Sequence, residues 1–230
     1  MEFSAIAFDA DDTLWHNERF FAAEQDRFAA LLAPYTDEAG LMTRLLAAER
    51  RNLGVYGFGV KGFVLSMVET ALEVTDNAVP GAVIAQIVAA GREMLDHPVE
   101  LLPHATEAVA AAKDYAPVWL ITKGDLLHQE RKLAQSGLGD MFDRVEIVSD
   151  KVPDTYLHLF GPRIDNAMMI GNSMKSDVVA MIDAGGYGVF VPHGLEWAIE
   201  AAPEPAGHAR FAKVPDLGAL PVLLDRMASA

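Results

Sequence analysis

Cysteine is absent from the 230 residues, which removes disulfides, thiol nucleophiles and thiolate metal sites from consideration. Basic residues are few. Eighteen Lys and Arg stand against 33 Asp and Glu, a formal net charge of −15, so the clustered positive surface that grips a phosphate backbone is missing and no nucleic-acid partner is expected. No run of about eighteen uninterrupted apolar residues is available to cross a bilayer, so no membrane partner is expected either. The seven histidines are scattered, without metal-ligand spacing. The first apolar run begins at Phe3 and leaves no basic segment or cleavable stretch before it, so the expected compartment is the cytoplasm. What remains is ordinary globular composition, 51% hydrophobic and 22% charged, in a chain long enough for one large domain or a core with a sizeable insertion.

The most informative stretch is Phe3–Trp15, where a short apolar run breaks into Asp9-Ala10-Asp11-Asp12-Thr13. A buried strand that delivers carboxylates to one point carries a desolvation cost unless a cation or hydrogen-bond donors compensate. Residues two apart at a strand end can project to the same side, giving a nucleophile and a proton donor one substrate. The same residues also suit an Asp-rich turn whose side chains cap backbone amides.

From Val118 onward, short β-prone runs (118–121, 145–148, 167–170, 188–191) alternate with amphipathic stretches (125–135, 155–160, 174–184). That alternation predicts a parallel sheet with crossover helices, with Phe3–Phe8 as a further strand. In such sheets ligands bind beyond the carboxyl ends of the strands. Between Trp15 and Pro98 the pattern is helical throughout. Phe21, Phe28 and Leu32 recur at helical spacing, Thr36 is placed to cap a helix running to Asn52, and segments 62–73 and 80–95 follow. The expected organisation is an α/β core of residues 1–15 and 99–230, a Rossmann-like three-layer parallel sheet, with an all-helical insertion at 16–98.

Three more polar clusters fall at or near strand ends. Thr122 closes the run Val118–Ile121, where its hydroxyl and the following amides, near a helix N-terminus, can hold an anion; Asp125 is equally a helix N-cap. Lys151 follows Val145–Val148 and can neutralise a carboxylate and a phosphate oxygen together. The strand Met168–Ile170 ends in Gly171-Asn172-Ser173, with Asp177 on the next helix; Asn172 and Asp177 offer hard oxygens suited to Mg²⁺.

In this order and context the clusters resemble the four motifs of the haloacid dehalogenase superfamily, with Asp9, Asp11 and Thr13, then Thr122, Lys151, and Asn172 with Asp177 at the matching positions. The resemblance covers the core and makes the helical block the kind of cap which that family inserts between its first two motifs. It implies a Mg²⁺-dependent phosphatase acting on a small phosphorylated metabolite. Asp9 would be the nucleophile, forming an aspartyl-phosphate, and Asp11 the general acid and base, its backbone carbonyl on the metal. Thr122 and Lys151 would hold the phosphoryl oxygens, Thr13 would line the substrate site, and Asp9, Asp11, Asn172 and Asp177 would surround the cation. For Asp11 to act as an acid, a raised pKa is expected from nearby Asp9 and partial desolvation.

Two positions depart from the family pattern. Its fourth motif often begins Gly-Asp, where this chain has Gly171-Asn172, which leaves Asp177 to carry more of the metal binding. Its second motif commonly has an amide after the Thr, where Lys123 stands here, either as a phosphate contact or as a solvated charge. Within the superfamily, a 2-haloacid dehalogenase is opposed by Asp11, a position not normally acidic in that branch, and a phosphohexomutase is a further alternative. A phosphate-ester-binding regulatory protein is the non-enzymatic one. A monomer and a homodimer are equally compatible with the sequence.

Gly57-Phe58-Gly59-Val60-Lys61-Gly62 satisfies the glycine pattern of dinucleotide loops, but residues 47–52 before it read as a polar helix end rather than a strand. We read it as a loop between cap helices, with Tyr56, Phe58 and Lys61 as candidates for substrate choice.

Overall fold

The computed structural model describes residues 2–195 and 197–229, which fall into two compact units. In chain order the elements are β1 (Ala5–Phe8), α1 (Glu18–Leu32), α2 (Glu38–Tyr56), α3 (Val60–Val74), α4 (Gly81–Asp96), α5 (Ala105–Ala112), β2 (Val118–Lys123) and α6 (Leu126–Ser136). They continue with β3 (Arg144–Val148), α7 (Pro153–Phe160), β4 (Ala167–Gly171), α8 (Ala180–Asp183), β5 (Tyr187–Phe190), β6 (Phe211–Lys213) and α9 (Leu220–Ala228).

The first unit holds residues up to Glu18, Val99–Lys123 and Gln129 onward. Its strands form one parallel sheet in the order β3-β2-β1-β4-β5-β6. β1 and β4 are buried along their whole length, which is why their sequences are continuously apolar rather than alternating. The alternation instead sorts side chains between two covered faces. Ile6, Phe8, Leu120 and Ile170 pack with α5 and α9, while Ala5, Ala7, Ile121 and Met169 pack with α7 and α8. The result is the three-layer Rossmann-like α/β arrangement. Chain order reverses on either side of β1, so the crevice beyond the carboxyl ends of β1 and β4 is the switch point where such sheets take ligands.

Two elements differ from the sequence pattern. β6 has only three residues, too short to show a period. The helix expected over 174–184 opens as a π-helical turn, Met174–Val179, before α8. Both Asp177 N and Val178 N donate to Ser173 O there, a widening of the kind that re-aims side chains at functional sites.

The second unit is Arg19–Pro98 with Gly124–His128. Phe28, Leu32, Leu41, Leu45, Phe63, Met67 and Ile87 are its core, and full burial of each such side chain contributes about 1.5–3 kcal/mol. α2 is capped by Asp37, not Thr36, because the Asp37 carboxylate accepts from Gly40 N at 2.8 Å. That helix runs past Asn52 to Tyr56 and stops where Gly57 turns to φ 74°. Between α2 and α3 the glycine loop is a helix connection, with Gly59 at φ 105°. The dinucleotide reading is therefore excluded by context as well as by sequence.

Candidate active site

β1 carries Asp9 to the switch point, where Asp9 N donates to Ile170 O at 2.8 Å. The chain then turns tightly, with Leu14 N donating to Ala10 O and Asp12 in the left-handed region at φ 61°. This turn places Thr13 beside the β4 exit: its hydroxyl donates to Asp9 Oδ2 at 3.1 Å and accepts from Asn172 N at 3.0 Å. One end of the Asn172 side-chain amide lies 3.0 Å from the Asp11 carbonyl oxygen and 3.3 Å from Asp9 Oδ2, and the nitrogen facing them satisfies both.

Lys151 is buried between two carboxylates. Its ammonium donates to Asp9 Oδ1 and, at 2.7 Å, to Asp177 Oδ1. Asp177 Oδ2 accepts from Ser173 N at 2.9 Å, so both Asp177 oxygens are engaged within the protein. In this arrangement Asp177 holds Lys151, a contact that its spacing in the sequence did not reveal. Burial opposes the charge on Lys151, but Asp177 and Asp9 outweigh it and raise the lysine above its ordinary range. Burial pushes the Asp9 carboxyl up to about 7; the Asp177 and Asp11 charges add to this and Lys151 opposes it. Burial, more than any neighbouring charge, is what disfavours ionised Asp9 in this pocket.

Asp11 has its own donors. Its Oδ1 accepts from Trp15 Nε1 at 2.6 Å and from Lys132 Nζ at 2.5 Å, and Oδ2 accepts from Gln129 Nε2 at 3.1 Å. Burial would raise this carboxyl, but the Lys132 charge and the hydrogen bonds of Lys132, Trp15 and Gln129 outweigh it and hold Asp11 below the usual range. The expectation of a raised Asp11 is thus reversed, and of the two acids it is Asp9 that burial lifts. Trp15 is both fully packed and a donor to the site.

Thr122, at the end of β2, accepts from Gln129 Nε2 at 2.8 Å, which links the second strand end to Asp11 through one amide. Lys123 is neither a solvated charge nor aimed at Asp9: it donates to Glu200 Oε1 at 2.7 Å and Ser176 Oγ at 2.9 Å. Burial opposes the Glu200 charge, yet Lys123 and the bonds from Ser173 and Ser176 hold its carboxyl below the usual range. The remaining candidates lie in the helical unit. There Lys61 pairs with Asp125 at 2.7 Å, Tyr56 is exposed at the end of α2, and Phe58 is half-buried in the glycine loop.

Gln129, Lys132 and Glu200 were invisible as site residues in the sequence. Gln129 and Lys132 are buried at i, i+3 on α6 while Leu126 and Leu127 are exposed, so hydrophobic periodicity selects the wrong face of this helix. A buried polar pair that begins in the first turn of the helix after a strand-end threonine is the signal that remains.

The model of one family, haloacid dehalogenase-like hydrolase, matches residues 3–185. Among solved structures, a haloacid dehalogenase-like family hydrolase from Xanthomonas campestris is 41% identical, with 99% of this chain and 94% of that chain covered and a TM-score of 0.87. An L-2-haloacid dehalogenase from Xanthobacter autotrophicus, with chloropropionic acid covalently bound, is 17% identical at TM-score 0.66, covering 98% of this chain and 99% of its own. A predicted phosphoglycolate phosphatase from Haemophilus somnus is also 17% identical, at TM-score 0.65, covering 97% and 98%. At that identity the likeness is one of fold alone. None of the curated proteins matches the chain. One fold hosts both chemistries, so the choice between them falls to side chains.

Proposed function

The chain belongs to the haloacid dehalogenase-like hydrolases, and we propose that within them it is a Mg²⁺-dependent phosphatase that hydrolyses a small phosphate monoester through an aspartyl-phosphate on Asp9. The observation that carries this reading is Asp11, a second acid two residues beyond the nucleophile and held by its own three donors. A halide leaves carbon without a proton. An alkoxide leaves phosphorus only with one, and that requirement gives Asp11 its task.

The residues present fit a hard divalent cation. Asp9 Oδ2 and the Asp11 carbonyl oxygen already share one end of the Asn172 amide, and with the Asn172 oxygen turned toward them three hard oxygens face one point. Burial disfavours the ionised Asp9 carboxyl, and a cation bound beside it would favour that charged form. Asp9, the Asp11 carbonyl and Asn172 would hold Mg²⁺, which when bound supplies the charge neutralisation that lets a carboxylate approach a phosphate.

The protein's own groups do the rest. Lys151 spends two of its three N–H donors on Asp9 and Asp177, leaving the third for a phosphoryl oxygen. Thr122 offers its hydroxyl to another phosphoryl oxygen. Asp9 attacks phosphorus as the alcohol leaves with a proton from Asp11. Asp11 then takes a proton from the water that opens the acyl phosphate, and it carries that proton into the next turnover. The Lys132 pairing favours charged Asp11, which assists the base step and opposes the acid step.

Phosphate release from p-nitrophenyl phosphate in Mg²⁺, lost in EDTA and in Asp9→Asn, is the expected result. Chloride release from 2-haloacids that is indifferent to EDTA would overturn the proposal.

A further inference from the structure

Beyond the Asp9 pocket, Asp12, His16 and His193 meet in the same unit although their positions in the sequence suggest no metal motif. Their ligand atoms all lie within 4.8 Å of one another. We propose that these three side chains form a second cation site, selective for a borderline transition metal of the Zn²⁺ class rather than for Mg²⁺.

The carboxylate is fixed in advance. Asp12 Oδ1 accepts from Asn17 N and Oδ2 from Glu18 N, both at 2.8 Å, and its own amide donates to Trp15 O at 2.7 Å. Each oxygen keeps a second lone pair for another partner. Backbone groups that pin a carboxylate in this way are the outer support that metal ligands use. His16 follows one turn later on the same loop, where its amide is anchored to Glu100 O at 3.0 Å.

His193 comes from the loop after β5, and its two ring nitrogens face different oxygens. Its Nδ1 faces Leu195 O at 3.3 Å; donating there, it leaves Nε2 as a lone-pair nitrogen toward Asp12. Nε2 stands 3.5 Å from Asp12 Oδ1, longer than an ordinary N–H···O bond and within ion-pair reach when the ring is protonated. Two ligands of one tetrahedral Zn²⁺, each about 2.0–2.1 Å from the ion, stand about 3.3 Å apart. The His16 and His193 rings are not stacked: their centroids are 5.9 Å apart at 65°, an edge arrangement open to a shared ion. Two imidazoles and one carboxylate, with the remaining positions open to water, are a donor set that discriminates against Mg²⁺, which prefers oxygen throughout.

The inference stands apart from the phosphatase reading, since Asp9, Asn172 and Lys151 take no part in it. Its test uses full-length, tag-free protein saturated with Mg²⁺ so that the oxygen site is filled. One equivalent of Cu²⁺ is expected to give an electron paramagnetic resonance spectrum split by two imidazole nitrogens. Calorimetry should find one Zn²⁺ per chain that excess Mg²⁺ does not displace. His16→Gln and His193→Gln should each weaken Zn²⁺ about tenfold or more, since even outer partners of metal ligands cost that much when removed. Each should also leave one coupled nitrogen instead of two, while exposed His158→Gln changes neither readout. Absence of two-nitrogen coupling in the unmodified protein overturns the proposal without recourse to any variant. Zinc affinity unchanged in both His16→Gln and His193→Gln overturns it equally.

Discussion

Gly171, the last residue of β4, is where the smallest change should do the most damage. A Cβ added there would lie 2.2 Å from Asp177 Oδ2, 2.4 Å from its Cγ and 2.8 Å from its Cβ, so Asp177 must move in Gly171→Ala. Asp177 has no solvent to move into: it is fully buried, bonded on one side to Lys151 and on the other to Ser173 N. Overpacking a tight interior costs about 1–3 kcal/mol, and breaking a buried ion pair about 3–5 kcal/mol. Partial relaxation puts the expected loss near 3 kcal/mol. In a chain of this length each kcal/mol lowers Tm by about 2–4 °C, so the transition of the sheet unit should fall by about 6–12 °C. Lys151 would be displaced with its partner, and a misplacement of about 1 Å at a reacting group costs about a hundredfold in rate. Calorimetry and p-nitrophenyl phosphate turnover in Mg²⁺ measure the two effects. Gly54→Ala is the control: nothing lies within 4 Å of its added Cβ on α2, so it should gain up to about 1 kcal/mol. If Gly171→Ala matched the unmodified protein in both Tm and turnover, the tight Gly171–Asp177–Lys151 packing could not be what positions the lysine.

Lys132→Met should destabilise the protein by about 1–3 kcal/mol at neutral pH, because it leaves the part-buried Asp11 carboxylate short of its main partner. Asp11 is held low in the folded protein, so its contribution is present above its ordinary pKa and lost as pH falls; urea unfolding at pH 7 and at pH 3 should therefore differ less in this variant than in the parent. Asp9 has the opposite sign. Its folded carboxyl is raised from 3.8 to about 7, so metal-free protein should lose stability as pH rises through that window. Mg²⁺ should accordingly raise Tm more at pH 8 than at pH 5, and equal shifts at the two values would refute the burial-raised Asp9 carboxyl. Glu200→Gln should cost about 1–3 kcal/mol by thermal unfolding at pH 7, through loss of the matched Lys123 charge, with little cost at pH 3 where the parent is losing the pair. Removing Lys151 as Lys151→Met should lower turnover by about 10²–10³, the cost of deleting one preorganised donor to a developing oxyanion, whereas unchanged turnover would exclude it from phosphoryl binding.

The sheet was legible because β1, β2 and β4 are buried on both faces and so read as continuous apolar runs ending abruptly in polar residues. Those abrupt ends also gave up Asp9, Asp11, Thr122 and Asn172, since the carboxyl edge of a parallel sheet is where chemistry collects. What lies on helices was hidden. Gln129 and Lys132 occupy the buried face of α6 while leucines occupy the exposed one, so patterning by apolarity pointed away from them. The expected raised Asp11 was reversed for the same reason, because the direction of its shift depends on Lys132, a residue 121 positions away. Asp177 was legible only as a hard oxygen on a first helical turn. The π-helical turn aims it at Lys151 and the Ser173 amide, contacts that no spacing rule encodes. His16 and His193 escaped notice because their meeting depends on two loops at different strand ends.

The central claim is that phosphorus, and not carbon, is attacked by Asp9. Acid quenching during turnover of a phosphate monoester in Mg²⁺, followed by peptide mass analysis, tests it directly. The account predicts a single phosphoryl group on the peptide that contains Asp9, absent in EDTA and in Asp9→Asn. Phosphate release with the label on another residue, or an Asp9 ester formed only from 2-haloacids, would contradict it.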